Sequence, residues 1–228
     1  MNQSGYNPAD RRPIKARELA VAQRVAAWLA DRGVSPNGIS VAGMFAGLAG
    51  GAAFAATSFD TPYTRLCWLA AAALVQMRLL ANMFDGMVAV RRNIASPLGE
   101  LYNEVPDRIS DAALLIGAGY AVGGHPLVGL GAALAAVFTA YVRAAAKVAG
   151  APNDFCGPFA KQQRMFCITL VALYCAATPL AWQPTWMLAD EKFGLATVVL
   201  AIVLVGSVLT AMRRLIRAAR YLKQPPTP

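Results

Sequence analysis

Charge is scarce in this chain. Only 14% of its 228 residues are Asp, Glu, Lys or Arg, and 57% are hydrophobic. Soluble domains carry about 25% charge, so a soluble globular domain is disfavoured. Acidic residues are rarest: 12 Asp and Glu stand against 21 Lys and Arg, a formal net charge of +9. Such an excess suits nucleic acid or an anionic membrane surface, and the apolar composition selects the membrane. His125 is the single histidine, which leaves little room for histidine-based catalysis or metal binding. Cys67, Cys156, Cys167 and Cys175 lie in or near apolar segments without metal-ligand spacing and read as reduced packing residues. Repeats and low-complexity segments are absent. Met1 to Arg12 is too polar and charged for a cleavable signal peptide.

What the chain has instead is long apolar runs, with a mean hydropathy of +0.45. Six apolar segments are expected near 38–58, 65–84, 108–123, 126–146, 165–184 and 193–212, each near the roughly 20 residues that span a bilayer. Ahead of them, Pro13 to Arg32 places Ile14, Val21, Val25, Trp28 and Leu29 at helical spacing among charged residues, with Gly33 as a stop. This predicts an amphipathic helix on the membrane surface; a soluble arm is the alternative. The expected fold is an all-α polytopic bundle of six transmembrane helices. It divides into an N-terminal segment 1–34, a transmembrane domain 35–212 and a basic tail 213–228.

Lys and Arg fix the expected orientation. The connections Ser58 to Thr64 and Gly123 to Pro126 carry none, and Gln183 to Lys192 carries one. The opposite side holds Arg91, Arg92, Lys147, Lys161, Arg164 and the tail Arg213, Arg214, Arg217, Arg220 and Lys223. Positive charge marks the cytoplasmic side, so both termini are expected inside, with the protein in the cell (inner) membrane. The tail reads as a topology signal or as a lure for anionic lipid heads. His125 falls on the outer side as a loop residue.

Between Asn82 and Asp111 polar residues interrupt the apolar pattern at helical spacing. Asn82 and Asp85 share one helix face; Asn103, Asp107 and Asp111, four apart, share another. Ser96 and Pro97 read as the N-cap and first residue of a new helix. Two helices meeting at the cytoplasmic surface would thus aim oxygen atoms at one point, which suits Mg²⁺ or Mn²⁺, or a satisfied polar network without a metal. Acidic residues within a membrane segment point to function. Gly86, Ala89 and Gly99 would allow close approach of a ligand or of another helix. Pro106 removes the helical partner of the Tyr102 carbonyl, freeing that oxygen for a ligand or merely kinking the helix. Arg143, Lys147, Lys161 and Arg164 cluster at one connection, either to hold phosphate or as inside-positive charge. Arg78 is the other mid-span charge.

At these residues the chain resembles the CDP-alcohol phosphotransferases, whose pattern is D-x2-D-G-x2-A-R-x8-G-x3-D-x3-D. The matching string is Asn82, Asp85, Gly86, Ala89, Val90, Gly99, Asn103 and Asp107, with every gap of the same length. Ser35-Pro36-Asn37, Tyr141-Val142-Arg143 and Gly157-Pro158…Lys161…Arg164 are also similar to family segments. The resemblance implies transfer of a phosphatidyl-type group from a CDP-linked lipid to an alcohol, with release of CMP. It implies metal ligands at Asn82, Asp85, Asn103 and Asp107, with Asp107 also the catalytic base. Substrate contacts are expected from Gly86, Ala89, Arg91, Gly99, Arg143 and Lys161. The partners expected are CDP-diacylglycerol or a related CDP-lipid, an alcohol acceptor, membrane lipids and a second copy of the chain; nucleic acid is not expected.

The departures are specific. Asn82 and Asn103 stand where the family pattern has aspartate, and Val90 where it has arginine, with Arg91 one place later. Two divalent ions, a donor pyrophosphate, Asp85 and Asp107 still balance in charge, so metals are expected to arrive mainly with the donor. Glu100, Glu104 or Asp111 would compensate by lying nearby. A non-catalytic CDP-lipid binder or scaffold is the second reading and a transporter the third, the last weakened by the lack of a series of charges across the membrane depth.

Overall fold

The computed structural model describes residues 15–59, 61–94, 97–188 and 191–223. Among them are seven α-helices: α1 (Ala20–Asp31), α2 (Pro36–Ala56), α3 (Thr64–Arg91), α4 (Pro97–Gly119), α5 (Pro126–Val148), α6 (Lys161–Ala177) and α7 (Leu195–Leu222). The six expected apolar segments correspond in order to α2 to α7. Four helices, α2, α3, α5 and α7, are long and apolar enough to cross a membrane, which makes the chain an integral membrane protein. The other two fall short for visible reasons: α6 has 17 residues, and the first two-thirds of α4 carries Glu100, Glu104, Asp107, Arg108 and Asp111.

Some expected boundaries shift. The fifth segment ends at Ala177 rather than 184, and a two-stranded antiparallel hairpin follows, β1 (Thr185–Leu188) and β2 (Glu191–Gly194). Trp186 and Phe193 stack across it with ring centroids 6.0 Å apart. The hairpin docks where the Gly194 amide donates to the Gly123 carbonyl at 2.8 Å, with Gly123 itself at φ +70°. His125 lies there too, pairing with Glu191 at 2.9 Å. At the other end, α7 continues through Arg213, Arg214, Arg217 and Arg220 to Leu222. The Ser96 cap expected for α4 lies outside the described residues, as do Ile14, Arg11 and Arg12 of the N-terminal segment.

The bundle is apolar outside as well as inside. Phe45, Leu66, Leu69, Leu134, Phe138, Phe166 and Val205 are all more than half exposed, an apolar surface that water would not tolerate and lipid does. Inside, Phe54 meets Trp68 edge to face at 5.7 Å, among buried Leu114, Leu115, Met165, Leu200 and Val203. In α1 the buried residues are Ala22 and Ala26, while Val21, Val25 and Trp28 face outward. Arg92 ties α1 to the end of α3 by donating to the carbonyls of Gly33 and Val34 at 3.1 Å.

Glycine sets the distance between α2 and α4. A Cβ on Gly47 would strike Ser110, one on Gly51 the Ala113 backbone, and one on Gly117 the Gly51 backbone. Close approach of this kind is how membrane helices gain packing energy when both sides are apolar. It sets Gly47 of α2 directly against Ser110 of α4. Gly117→Val is therefore expected to separate the two helices and destabilise the protein by roughly 1–3 kcal/mol or more. Gly131→Ala should be tolerated, because its Cβ would meet only the Leu204 methyl groups at 3.4 Å or beyond. Thermal unfolding of both variants in detergent checks the contrast.

Candidate functional site

The polar residues of α3 and α4 meet those of α6 at one end of the bundle. Helical spacing along α3 puts Arg78, Asn82 and Asp85 on one face, turned toward Asn103, Asp107, Ser110 and Asp111 of α4. Asn82 Nδ2 donates to Asp107 Oδ1 at 3.0 Å and to Asn103 Oδ1 at 3.3 Å. Asn103 Nδ2 donates to Asp85 Oδ2 at 3.0 Å. The Asp85 carboxylate also accepts from Ser40 Oγ at 2.6 Å and from the Gly86 amide. All four motif positions are thus in one hydrogen-bonded cluster.

Three cations complete it. Arg78, 1% exposed, reaches Asp107 Oδ1 and Asp111 Oδ1, each at 2.7 Å, and donates through Nε to Ser110 Oγ at 2.9 Å. Lys161 Nζ bonds Asp107 Oδ2 and, at 2.9 Å, Asn82 Oδ1. Arg164 lies 3.9 Å from Asp111 Oδ2. Paired groups are what make such deep charges tolerable.

Lys161 owes its place to the connection before it. Gly157, at φ +130°, packs against the Thr210 side chain, where a Cβ would collide. The Phe159 amide donates to Thr210 Oγ1 at 3.0 Å, and Arg214 Nε donates to the Cys156 carbonyl at 2.9 Å. Asp154 pairs with Arg217 at 2.8 Å. The connection is thus fastened to α7, and α6 begins at Lys161 with its positive end toward Asp107.

A second cationic layer flanks the cluster. Glu104 bridges Arg108 at 2.7 Å and Arg143, and Arg143 lies 5.2 Å over the Phe155 ring. Arg108 Nη2 is 4.0 Å from Asp107 Oδ2. Lys147 lies 3.8 Å from Glu100.

The expected site residues therefore separate. Asn82, Asp85, Asn103, Asp107 and Lys161 are in mutual contact. Gly86 is joined to them through its amide, and Arg143 through Glu104 and Arg108. Ala89 and Gly99 are half-buried on neighbouring turns. Arg91 is exposed at the last residue of α3, about 9 Å along the axis from Asp85 at 1.5 Å per residue. Sequence reasoning passed over Ser40 and Ser110, and took Arg78 only as an isolated charge. For Arg78 a signal existed: it sits four residues before Asn82 and seven before Asp85, on the same helix face.

The expected pair of Mg²⁺ or Mn²⁺ ions does not fit this donor set. No group of three or more His, Cys, Asp and Glu side chains suited to a metal occurs among the described residues. Every Asp107 and Asp85 oxygen already accepts from a donor of the chain itself. Three carboxylates, Asp85, Asp107 and Asp111, are balanced by Arg78, Lys161 and Arg164. Ser40, Met44, Arg78, Asn82, Asp85 and Pro106 help to line a small cleft here. Its orphaned polar atom is Arg78 Nη1, a donor. Both carboxylate oxygens of Asp111, in the same cluster, also lack a hydrogen-bond partner, although Arg78 and Arg164 lie within ion-pair distance.

Removing Arg78 would leave two buried carboxylates facing each other. Arg78→Met is expected to cost about 3–5 kcal/mol. The double variant Arg78→Met/Asp111→Asn should recover part of that loss. Thermal unfolding in detergent measures both.

No family model matches the chain, and no curated protein matches it in sequence. Solved structures do. The chain is similar to the Mycobacterium tuberculosis phosphatidylinositol phosphate synthase PgsA1 with CDP-DAG bound, with a TM-score of 0.67 and 21% identity over 92% of this chain and 100% of that one. The PgsA1 complex with manganese and citrate gives 0.67 and 21% over 90% and 93%. The apo form gives 0.63 and 21% over 89% and 99%. At this identity the likeness establishes a common fold.

Proposed function

We propose that this chain is a CDP-alcohol phosphotransferase, which moves a phosphatidyl-type group from a CDP-linked lipid to an alcohol and releases CMP in phospholipid biosynthesis. The observation that carries the reading is the meeting of Asn82, Asp85, Asn103 and Asp107 in one cluster, at the spacing of the family motif, in a fold shared with a synthase solved with CDP-DAG. In the reaction the acceptor oxygen bonds to the lipid-side phosphorus as the bond from that phosphorus to CMP breaks. The hydroxyl proton passes to Asp107. Arg78 and Lys161 orient that carboxylate in the protein without donor. The outer cations Arg108 and Arg143 draw the donor's pyrophosphate to the cleft, and Lys161 stands beside it.

The same reading places six helices, α2 to α7, in the bilayer, with α1 on its surface through Val21, Val25 and Trp28. Both termini and the cluster face the cytoplasm of a cell with the protein in its inner membrane, and the chain works as a homodimer. Lys and Arg asymmetry supports the orientation. Mg²⁺ or Mn²⁺ entering with the donor belongs to the reading, supported by the manganese complex of the neighbouring synthase. A second reading, a CDP-lipid binder without turnover, is favoured by Asn82 and Asn103 and by the closed network they form.

Purified protein given CDP-diacylglycerol, Mn²⁺ and a panel of alcohols should release CMP. Asp107→Asn should slow that release by roughly 10²-fold, the scale of a positioned base. CDP-lipid binding with no CMP released for any acceptor would select the second reading. A cysteine introduced at Arg91 should resist an impermeant thiol reagent applied to sealed cells; labelling from outside would reverse the topology.

A further inference from the structure

We propose that Lys161 is the resident cation of this site: its ammonium bridges Asn82 and Asp107, and the chain takes up at most one divalent ion, only together with an anionic donor. The proposal rests on the transferase reading for the identity of the donor, but not for the ion count.

Three observations converge on it. Lys161 Nζ touches the oxygens of the first and last motif positions, Asn82 Oδ1 at 2.9 Å and Asp107 Oδ2, so a positive charge already sits between them. The ammonium is a compact point charge with three donors and no acceptor, able to bridge oxygens as a cation does while bringing one charge rather than two. Second, the two asparagines use the groups that distinguish them from aspartate. Asn82 Nδ2 donates to Asp107 and Asn103, and Asn103 Nδ2 to Asp85. A carboxylate at either position would set acceptor against acceptor. Lys161 also fixes the orientation of Asn82, because reversing that amide would oppose two donors. Third, the charges are complete. Arg78, Lys161 and Arg164 balance Asp85, Asp107 and Asp111 without a metal, and two ions would bring four further positive charges into an apolar bundle. An incoming pyrophosphate changes that balance by two negative charges, which is the room for a single divalent ion.

Asn82, Asn103 and Lys161 therefore act as one hydrogen-bonded unit. Creating a metal-binding site here requires adding the carboxylates and removing the ammonium together. Lys161 is a binding residue in this scheme, and Asn82 and Asn103 are positioning residues.

Mn²⁺ binding to the full-length protein in detergent or nanodiscs would be counted by calorimetry and by the paramagnetic resonance of free Mn²⁺, with and without CDP-diacylglycerol. Binding of the CDP-lipid would be followed separately in the same samples. The wild type should bind no Mn²⁺ without donor and no more than one per chain with it. The variant Asn82→Asp/Asn103→Asp/Lys161→Met should gain at least one Mn²⁺ without donor. Asn82→Asp/Asn103→Asp with Lys161 retained should gain less. Lys161→Arg, which keeps the cation, should leave the count unchanged and serves if the triple variant does not fold. Any Mn²⁺ bound by the wild type without donor, two per chain with it, or a gain of Mn²⁺ by Lys161→Arg, would overturn the proposal. Failure of the wild type to bind CDP-diacylglycerol would sink the transferase reading instead, while the donor-free ion count would still decide the role of Lys161.

Discussion

The carboxylate of Asp107 lies in a bundle that offers little else to solvate it, and the surrounding structure follows from that constraint. An unpaired carboxylate in such a medium is too costly to persist, so each of its oxygens has a chain donor. Arg78 comes from α3, Asn82 from one turn further along α3, and Lys161 from the start of α6. Three helices are thereby committed to one point. A fourth helix joins through α2, whose Ser40 donates to Asp85, where Gly43 lets α2 lie close against Ala81 of α3.

Cations do two different jobs in this molecule. Arg78, Lys161 and Arg164 neutralise buried acids. Arg214 and Arg217, near the end of α7, fasten the connection that precedes Lys161, Arg214 through the Cys156 carbonyl and Arg217 through Asp154. A linear count of Lys and Arg treats both as inside-positive charge. The difference is one of partners, and partners come from α7 lying beside the 149–160 connection.

The asparagines do what a carboxylate at the same place could not. Asn82 and Asn103 each donate through Nδ2 to a neighbouring acceptor and accept at Oδ1. An amide can donate as well as accept, so it can close a network that a carboxylate would leave open to a metal.

The sequence by itself determined the order of the helices and which residues share a helix face, because apolar length and helical periodicity are local properties. It also determined that Asn82, Asp85, Asn103 and Asp107 would face one another, since two adjacent helices with ligands at spacings of three and four have few other ways to pack. The hairpin at 185–194 was hidden, because its stability comes from docking on Gly123 rather than from strand propensity. The pairing of Arg78 and Lys161 with Asp107 was hidden too. Lys161 is 54 residues from Asp107, and nothing local distinguishes an ammonium that enters a buried site from one that stays at the membrane surface. That choice was made by the tertiary structure, through the clamp of the preceding connection on α7 and the demand of a buried carboxylate for a partner.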